Sequence, residues 1–243
     1  MEPFSIIIIT KNEQENLPIL LESIKQQTIQ PQEIIVSDAG SADKTVEIAR
    51  AYGARIVNGG LPSRGRNAGA QASNTDYLLF LDSDVELIDC NFLKKAWEDF
   101  LYHGFDVATA DVYPKSNKIW DKLTHKFYNK YVRIWGALHP HAPGFCIFVK
   151  KSVHNKISGF DEKICFCEDH EYAARAVKKY GARFGFITKD VCVPVSVRRM
   201  DRDGRFMIAL KYILGELHFL FLGPIRDDRF KYTFGYNDKK EDK

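Results

Sequence analysis

The sequence predicts an α/β fold with a mostly parallel central sheet, and three observations carry that prediction. Short β-branched runs alternate with segments of helical spacing through the first third of the chain. The strand-like runs are apolar on both faces, as strands covered by helices on either side must be. Polar residues gather where those runs end, at the carboxyl edge where such sheets bind ligands.

Each element follows in order. FSIIIIT, residues 4–10, is a β-branched run and reads as the first strand. In NLPILLESIKQQ, Leu17, Leu20, Leu21 and Ile24 are spaced to share one helical face. PQEIIVSD, residues 31–38, is a second buried strand. It ends in Ala39-Gly40, and Ser41 is placed to cap the helix DKTVEIARAYG, which stops at Gly53. ARIVN supplies a short third strand, RGRNAGAQAS a helix of small residues, and DYLLFLD a fourth strand. Three tips should therefore line one sheet edge: Thr10-Lys11-Asn12-Glu13, Ser37-Asp38-Ala39-Gly40-Ser41 and Asp82-Ser83-Asp84.

Composition narrows the function classes. Apolar content of 45% and charged content of 28% are those of an ordinary globular protein long enough to bury a real core. A net charge of +3 gives no footprint for nucleic acid, which is not expected as a partner. The five cysteines are an odd number, and MEPFSIIIIT has neither the basic flank nor the apolar length of a secretory signal. Reduced thiols in a cytoplasmic protein are expected. Cys165 and Cys167 form a C-x-C pair with no second pair at zinc spacing, so buried thiols are the better reading. No apolar stretch approaches the ~20 residues that span a bilayer. The tail NDKKEDK reads as disordered.

DYLLFLDSDVEL sets two carboxylates, Asp82 and Asp84, one residue apart at the end of an apolar strand. Like charges so placed are tolerated beside a hard divalent cation, Mg²⁺ or Mn²⁺, that is shared with substrate phosphates. Turn formers bonded to nearby backbone would show the same pattern.

The ordered set of motifs is more specific than that triplet. FSIIIITKNEQENL, EIIVSDAGSADKTVEIA and SRGRNAGAQASNTDYLLFLDSDVEL together resemble the nucleotide-binding half of family 2 glycosyltransferases with the GT-A fold. PGFCIFVKKSVHNKISGFDE and CEDHEYAARAVKKYG resemble the acceptor side of the same family, so the likeness covers most of residues 4 to 190. It implies an α/β/α domain over residues 1–200, with a nucleotide-binding half (1–90) and an acceptor half (91–200). A helical C-terminal extension over 201–243 follows. It also implies an inverting, Mn²⁺- or Mg²⁺-dependent enzyme that moves a sugar from a nucleotide-diphosphate donor, UDP-linked first, to a glycan or lipid-linked acceptor. Thr10 and Glu13 would line the nucleoside pocket, and Asp38 would accept a hydrogen bond from the base. Asp82 would face the ribose and the metal shell, and Asp84 would bind the cation. Either Arg64 or Arg66 would stand near the nucleotide, where a guanidinium pairs well with phosphate.

CEDHEYAARAVKKYG opens with Glu168, Asp169 and Glu171 and closes with Lys178, Lys179 and Gly181, as a well-capped helix does. The resemblance instead makes Asp169 the catalytic base. A carboxylate suits that task, because inversion requires removal of the acceptor hydroxyl's proton. Glu168 would stand beside it, and His170 reads as a polar neighbour.

Two later stretches extend the domain. In IWDKLTHKFYNKYVRIW, Lys122, Lys126 and Lys130 form a basic stripe and Leu123, Phe127, Tyr131 and Ile134 an apolar one. Packing of the apolar stripe on the core is the first expectation; a cover over the acceptor or a face toward anionic lipid is the second. SVRRMDRDGRFMIALKYILGELHFLFLGPIRDDR opens with Arg198, Arg199, Arg202 and Arg205 before turning apolar. Arg198 and Arg199 lie where related enzymes close a loop on the diphosphate, and the apolar run suits either core packing or the inner membrane surface. Two rivals remain. FLDSDV also fits a haloacid-dehalogenase-like phosphatase, although three β–α units precede it and only Asp227-Asp228 offers a downstream acid pair. A non-catalytic nucleotide-sugar binder would share the fold without using Asp169.

Overall fold

A computed structural model of the chain describes residues 2–136, 139–188, 190–227 and 229–230. The tail NDKKEDK and Asp228 lie outside them. The first half runs β1 (Phe4–Thr10), α1 (Leu17–Lys25), β2 (Glu33–Asp38), α2 (Thr45–Ala51), β3 (Arg55–Asn58), α3 (Pro62–Ala72) and β4 (Tyr77–Asp82). The second half adds α4 (Phe92–Tyr102), β5 (Val107–Thr109), β6 (Asp111–Pro114), α5 (Ile119–Trp135), β7 (Cys146–Lys150) and α6 (Lys151–Lys156). It closes with α7 (Glu168–Tyr180), β8 (Phe184–Phe186), β9 (Cys192–Val195), α8 (Arg198–Asp203) and α9 (Arg205–Leu222).

Seven strands form one sheet in the order β3-β2-β1-β4-β7-β5-β8, and β6 pairs with β9 in a separate parallel ribbon. β1, β2, β3 and β4 are mutually parallel. β7 runs antiparallel to both β4 and β5. Alternation along β1 builds the two layers. Ile6 and Ile8 join one core with Leu17, Leu20 and Trp97. Ile7 faces the other, with Ala70, Ile147 and Tyr172. Burying each such side chain contributes roughly 1.5–3 kcal/mol. Leu17, Leu20, Leu21 and Ile24 are all buried, so the helical spacing of α1 was legible.

The small residues of α3 have a packing reason. A Cβ on Gly69 would meet Ile7 Cγ2 at 2.3 Å, and one on Gly65 would meet Ile9 Cγ2 at 2.9 Å. Glycine lets this helix lie directly on β1, which brings its polar residues to the sheet edge.

Three expectations change. Ser41 does not cap α2; the N–H of its first residue, Thr45, is met instead by Asp43 Oδ1 at 3.0 Å. Of the C-x-C pair, Cys167 is buried and Cys165 only half-buried. The apolar stripe of α5 does not pack on the core. That helix buries Asp121, His125 and Val132 and leaves Phe127 73% exposed, together with Leu123 and Ile134. The buried face is polar because Asp121 receives a two-bond contact from Arg205, at 2.6 and 2.9 Å, that ties α5 to α9. α9 likewise buries only Ile208 and Gly215 and exposes Phe206, Ile213, Phe221 and Leu222.

Gly69→Ala tests the α3 contact. Overpacking costs about 1–3 kcal/mol, against a gain of ~1 kcal/mol in helix propensity, so a lower urea midpoint is expected.

Candidate active site at the carboxyl edge of the sheet

Register decides which residues meet. Thr10 pairs with Asp38 across β1 and β2, and Ile9 pairs with Asp82 across β1 and β4, so the three strand tips end level. Asp38 shapes its own loop. Its Oδ1 accepts from Thr10 Oγ1 at 3.0 Å and Ser41 Oγ at 2.6 Å. Its Oδ2 accepts the N–H groups of Gly40 at 3.0 Å and Ser41 at 2.8 Å. These fill the acceptor sites of a carboxylate, so a bond to a base requires one of them to be exchanged.

Glu13 is buried at the end of β1 and accepts from Asn16 Nδ2 at 2.7 Å. Arg198, from α8, grips both of its oxygens and lies 3.5 Å from Asp84 Oδ2. Burial pushes the Glu13 carboxyl up despite this guanidinium. Arg199 turns the other way, donating toward the Tyr212 hydroxyl of α9 at 3.4 Å.

Arg66 forms the second junction. Its side chain is only 3% exposed. Nη2 donates to Asp82 Oδ1 at 2.9 Å and to the Gly144 carbonyl at 3.2 Å, and Nη1 donates to Glu168 Oε1 at 2.9 Å. The guanidinium also covers the Phe160 ring at 5.3 Å. Arg64, two residues earlier on the same helix, is exposed, so of the two arginines Arg66 stands at this edge. Burial raises Asp82 to about 7; Arg66 opposes this, and Asp84 and Glu168 reinforce it. Glu168 is raised by burial and by Asp169, against the pull of Arg66.

Asp169 meets one N–H of its own first helical turn and also reaches outside the helix. Residue Cys167 takes the N-cap position in the left-handed region, with φ 60°, and makes no side-chain cap bond. Asp169 Oδ2 accepts the Gly144 N–H at 2.6 Å, and Oδ1 accepts the His170 N–H at 2.9 Å. A Cβ on Gly144 would sit 2.7 Å from Arg66 Nη2 and 3.0 Å from Asp169 Oδ2, so glycine allows both to approach its backbone. Gly144 and Phe160 both lie in the stretch PGFCIFVKKSVHNKISGFDE, but nothing in that stretch marks them as partners of Arg66.

Glu13, Asp84, Asp82, Glu168 and Asp169 thus converge on two guanidiniums, Arg198 and Arg66. Carboxylate oxygens exceed the available cationic partners, which is the donor chemistry of a hard divalent ion. Asp84 is the least tightly paired of the acids that meet a guanidinium, with its nearest ion pair at the long distance of 3.5 Å.

Comparison with known sequences agrees with this edge. Residues 5–158 match glycosyl transferase family 2. The chain belongs to that family. An uncharacterized glycosyltransferase of Haemophilus influenzae is 31% identical over 200 residues, covering 72% of this family 2 chain and 62% of the relative. The O-antigen chain rhamnosyltransferase RfbN of Salmonella typhimurium is 28% identical over 209 residues, covering 72% and 60%. A 4,4'-diaponeurosporenoate glycosyltransferase of Staphylococcus haemolyticus is 39% identical over 95 residues, 35% of this chain and 25% of that one. The chain thus spans from 25% to 62% of the length of these relatives. Among solved structures, S. aureus TarS 1-349 superposes with a TM-score of 0.63 at 21% identity, covering 90% of this chain and 72% of that one. The mannosyltransferase PcManGT from Pyrobaculum calidifontis, in complex with GDP-Man and Mn²⁺, gives 0.66 at 17% identity, covering 81% and 57%. The fold of the family 2 chain is therefore GT-A, with a helical C-terminal part. The phosphatase reading falls with it, because β4 is the fourth strand in chain order and Asp82 is engaged by Arg66.

Because the fold raises Asp82 above its ordinary 3.8, it favours the protonated carboxyl. The stability this group contributes is complete below 3.8 and is lost as pH rises to about 7. Glu13 and Glu168, also raised, add slope of the same sign. Asp82→Asn is expected to flatten the fall of the urea midpoint across that window; an unchanged slope counts against the assignment.

Proposed function

We propose that this chain is an inverting, metal-dependent glycosyltransferase that moves a sugar from a nucleotide-diphosphate donor, UDP-linked first, to a hydroxyl of a cell-envelope glycan or lipid-linked acceptor. The observation that carries the reading is Arg66, which ties Asp82 on the donor side to Glu168, the neighbour of Asp169, on the acceptor side. Residues 1–90 form the donor half of this proposal and residues 91–200 the acceptor half. Thr10 and Glu13 line the nucleoside pocket, and the loop held by Asp38 meets the base. Asp84, helped by Asp82, holds Mn²⁺ or Mg²⁺, which when bound offsets charge on the departing diphosphate. Asp169 takes the proton of the acceptor hydroxyl as its oxygen attacks the anomeric carbon. Arg198 exchanges Glu13 for the diphosphate when donor arrives, and Arg199 steadies α8 against α9. The UDP complex of TarS and the GDP-Man and Mn²⁺ complex of PcManGT support a nucleotide-sugar donor and a divalent ion.

Calorimetric titration with UDP and GDP, each with and without Mn²⁺, tests this. UDP binding that needs the metal is expected, and Asp84→Ala is expected to abolish it. Asp169→Asn should bind UDP as the parent does while slowing donor turnover by roughly 10²–10⁴-fold. Metal-dependent binding that survives Asp84→Ala would overturn the metal assignment. Turnover unchanged by Asp169→Asn would leave a binder, or a different base.

α5 and α9 support a second part of the reading, a peripheral contact with the cytoplasmic face of an anionic membrane. Trp120, Phe127 and Ile134 on α5 and Ile213 and Phe221 on α9 are exposed apolar residues, with Lys126 and Lys130 on α5 also exposed. Among the described residues no helix is long and apolar enough to cross a membrane, so contact rather than spanning fits. Flotation with vesicles of phosphatidylcholine alone or mixed with phosphatidylglycerol is expected to show binding only to the anionic mixture, weakened by Phe127→Ser with Phe221→Ser. Equal recovery from both compositions would remove the charge argument.

A further inference from the structure

Behind Asp169 lies a cluster that the transfer reaction does not use. His141 comes from the loop between α5 and β7, His170 from α7 and Glu216 from α9. One ligand atom from each lies within 4.8 Å of the others, and both histidines are buried. Residues far apart in the sequence converge here with nitrogen and oxygen donors turned toward one another.

The tautomer of His141 gives the cluster its meaning. His141 Nδ1 lies 2.5 Å from the His139 carbonyl oxygen, which can only accept, so Nδ1 carries the hydrogen. The neutral ring then turns a bare Nε2 toward Glu216 Oε2, at 2.7 Å. A bare ring nitrogen and a carboxylate oxygen present lone pairs to each other, so either a shared proton or an ion bound by both must hold them together. At the other oxygen His170 Nδ1 touches Glu216 Oε1, and neither buried atom has a hydrogen bond of acceptable geometry. Protons would answer this with one extra hydrogen at His141 while a neutral His170 donates from Nδ1, the two ring centroids lying 4.5 Å apart. A single cation would answer it with both rings neutral.

We propose that His141, His170 and Glu216 form a metal site of their own, for a divalent transition ion of the zinc class, separate from the aspartates at the sheet edge. Two imidazoles and one carboxylate are a donor set that zinc accepts, with a fourth position left for water. Imidazole nitrogen also separates this site from the all-oxygen edge, which suits Mg²⁺ or Mn²⁺. An N–H donated from the far side of a ligating histidine to a backbone carbonyl is the arrangement that orients such a ring. The ion would pin α9 to α7 one residue from Asp169, and so would join the C-terminal extension to the acceptor side.

The test uses tag-free full-length protein without nucleotide, so that its outcome is independent of the transferase reading. After loading with Zn²⁺ and dialysis, about one equivalent per chain is expected by elemental analysis, and Co²⁺ in its place should give the visible absorption of a nitrogen-ligated ion. Glu216→Gln and His141→Ala, each removing one of three protein ligands, should each lose the zinc on dialysis, while Asp84→Ala retains the parent's zinc. Circular dichroism checks that each variant is folded. Zinc held as well by folded Glu216→Gln overturns the proposal. So does a parent protein that keeps neither Zn²⁺ nor a Co²⁺ spectrum, in which case the cluster is an ion pair held by protons.

Discussion

The buried guanidinium of Arg66 is the constraint around which the acidic edge is organised. It reaches Asp82 at the end of β4, Glu168 at the start of α7 and the backbone of Gly144 ahead of β7. Without it two carboxylates would lie in a poorly hydrated place with no counter-charge, a loss of about 3–5 kcal/mol when such a pair is broken. The surrounding structure is arranged to keep it there. Gly65 and Gly69 let α3 settle on β1, and Gly144 leaves room for the guanidinium and for Asp169.

Placement of β7 between β4 and β5 is the second determinant. A continuing parallel sheet would send the chain away from the carboxyl edge after β4. The antiparallel pairing of β4 with β7, Leu81 opposite Cys146, instead starts β7 at that edge. Gly144 thereby arrives beside Arg66 and Asp82, and α7 follows with Glu168 and Asp169. The acids at the end of β4 and at the start of α7 become neighbours through this reversal rather than through any closeness in sequence.

The C-terminal helices show how polar contacts can fix an apolar element to a domain. α9 is held by Arg205 on Asp121, by Glu216 between His141 and His170, and by close approach of Gly215 to Phe166. Its leucines and phenylalanines are left largely outside. Exposed apolar area of this extent usually marks a surface that meets something else. The polar anchors direct that surface away from the core.

The sequence by itself determined the β–α order, the strand tips and the acids they carry, because strand and helix periodicities are local and parallel register brings the tips level. The family followed from the order of those motifs, and the buried face of α1 from four spaced residues. Only the tertiary structure decided that Arg66 rather than Arg64 enters the site, since residues two apart on a helix face opposite ways and the sequence does not say which face meets the edge. The tertiary structure also turned Asp38 and Ser41 into a loop lock, and made the buried face of α5 polar through Arg205, a partner 84 residues away from Asp121. The meeting of His141, His170 and Glu216 was beyond the sequence for the same reason: contacts between distant elements leave no periodic trace, because periodicity records only the surface a segment must cover.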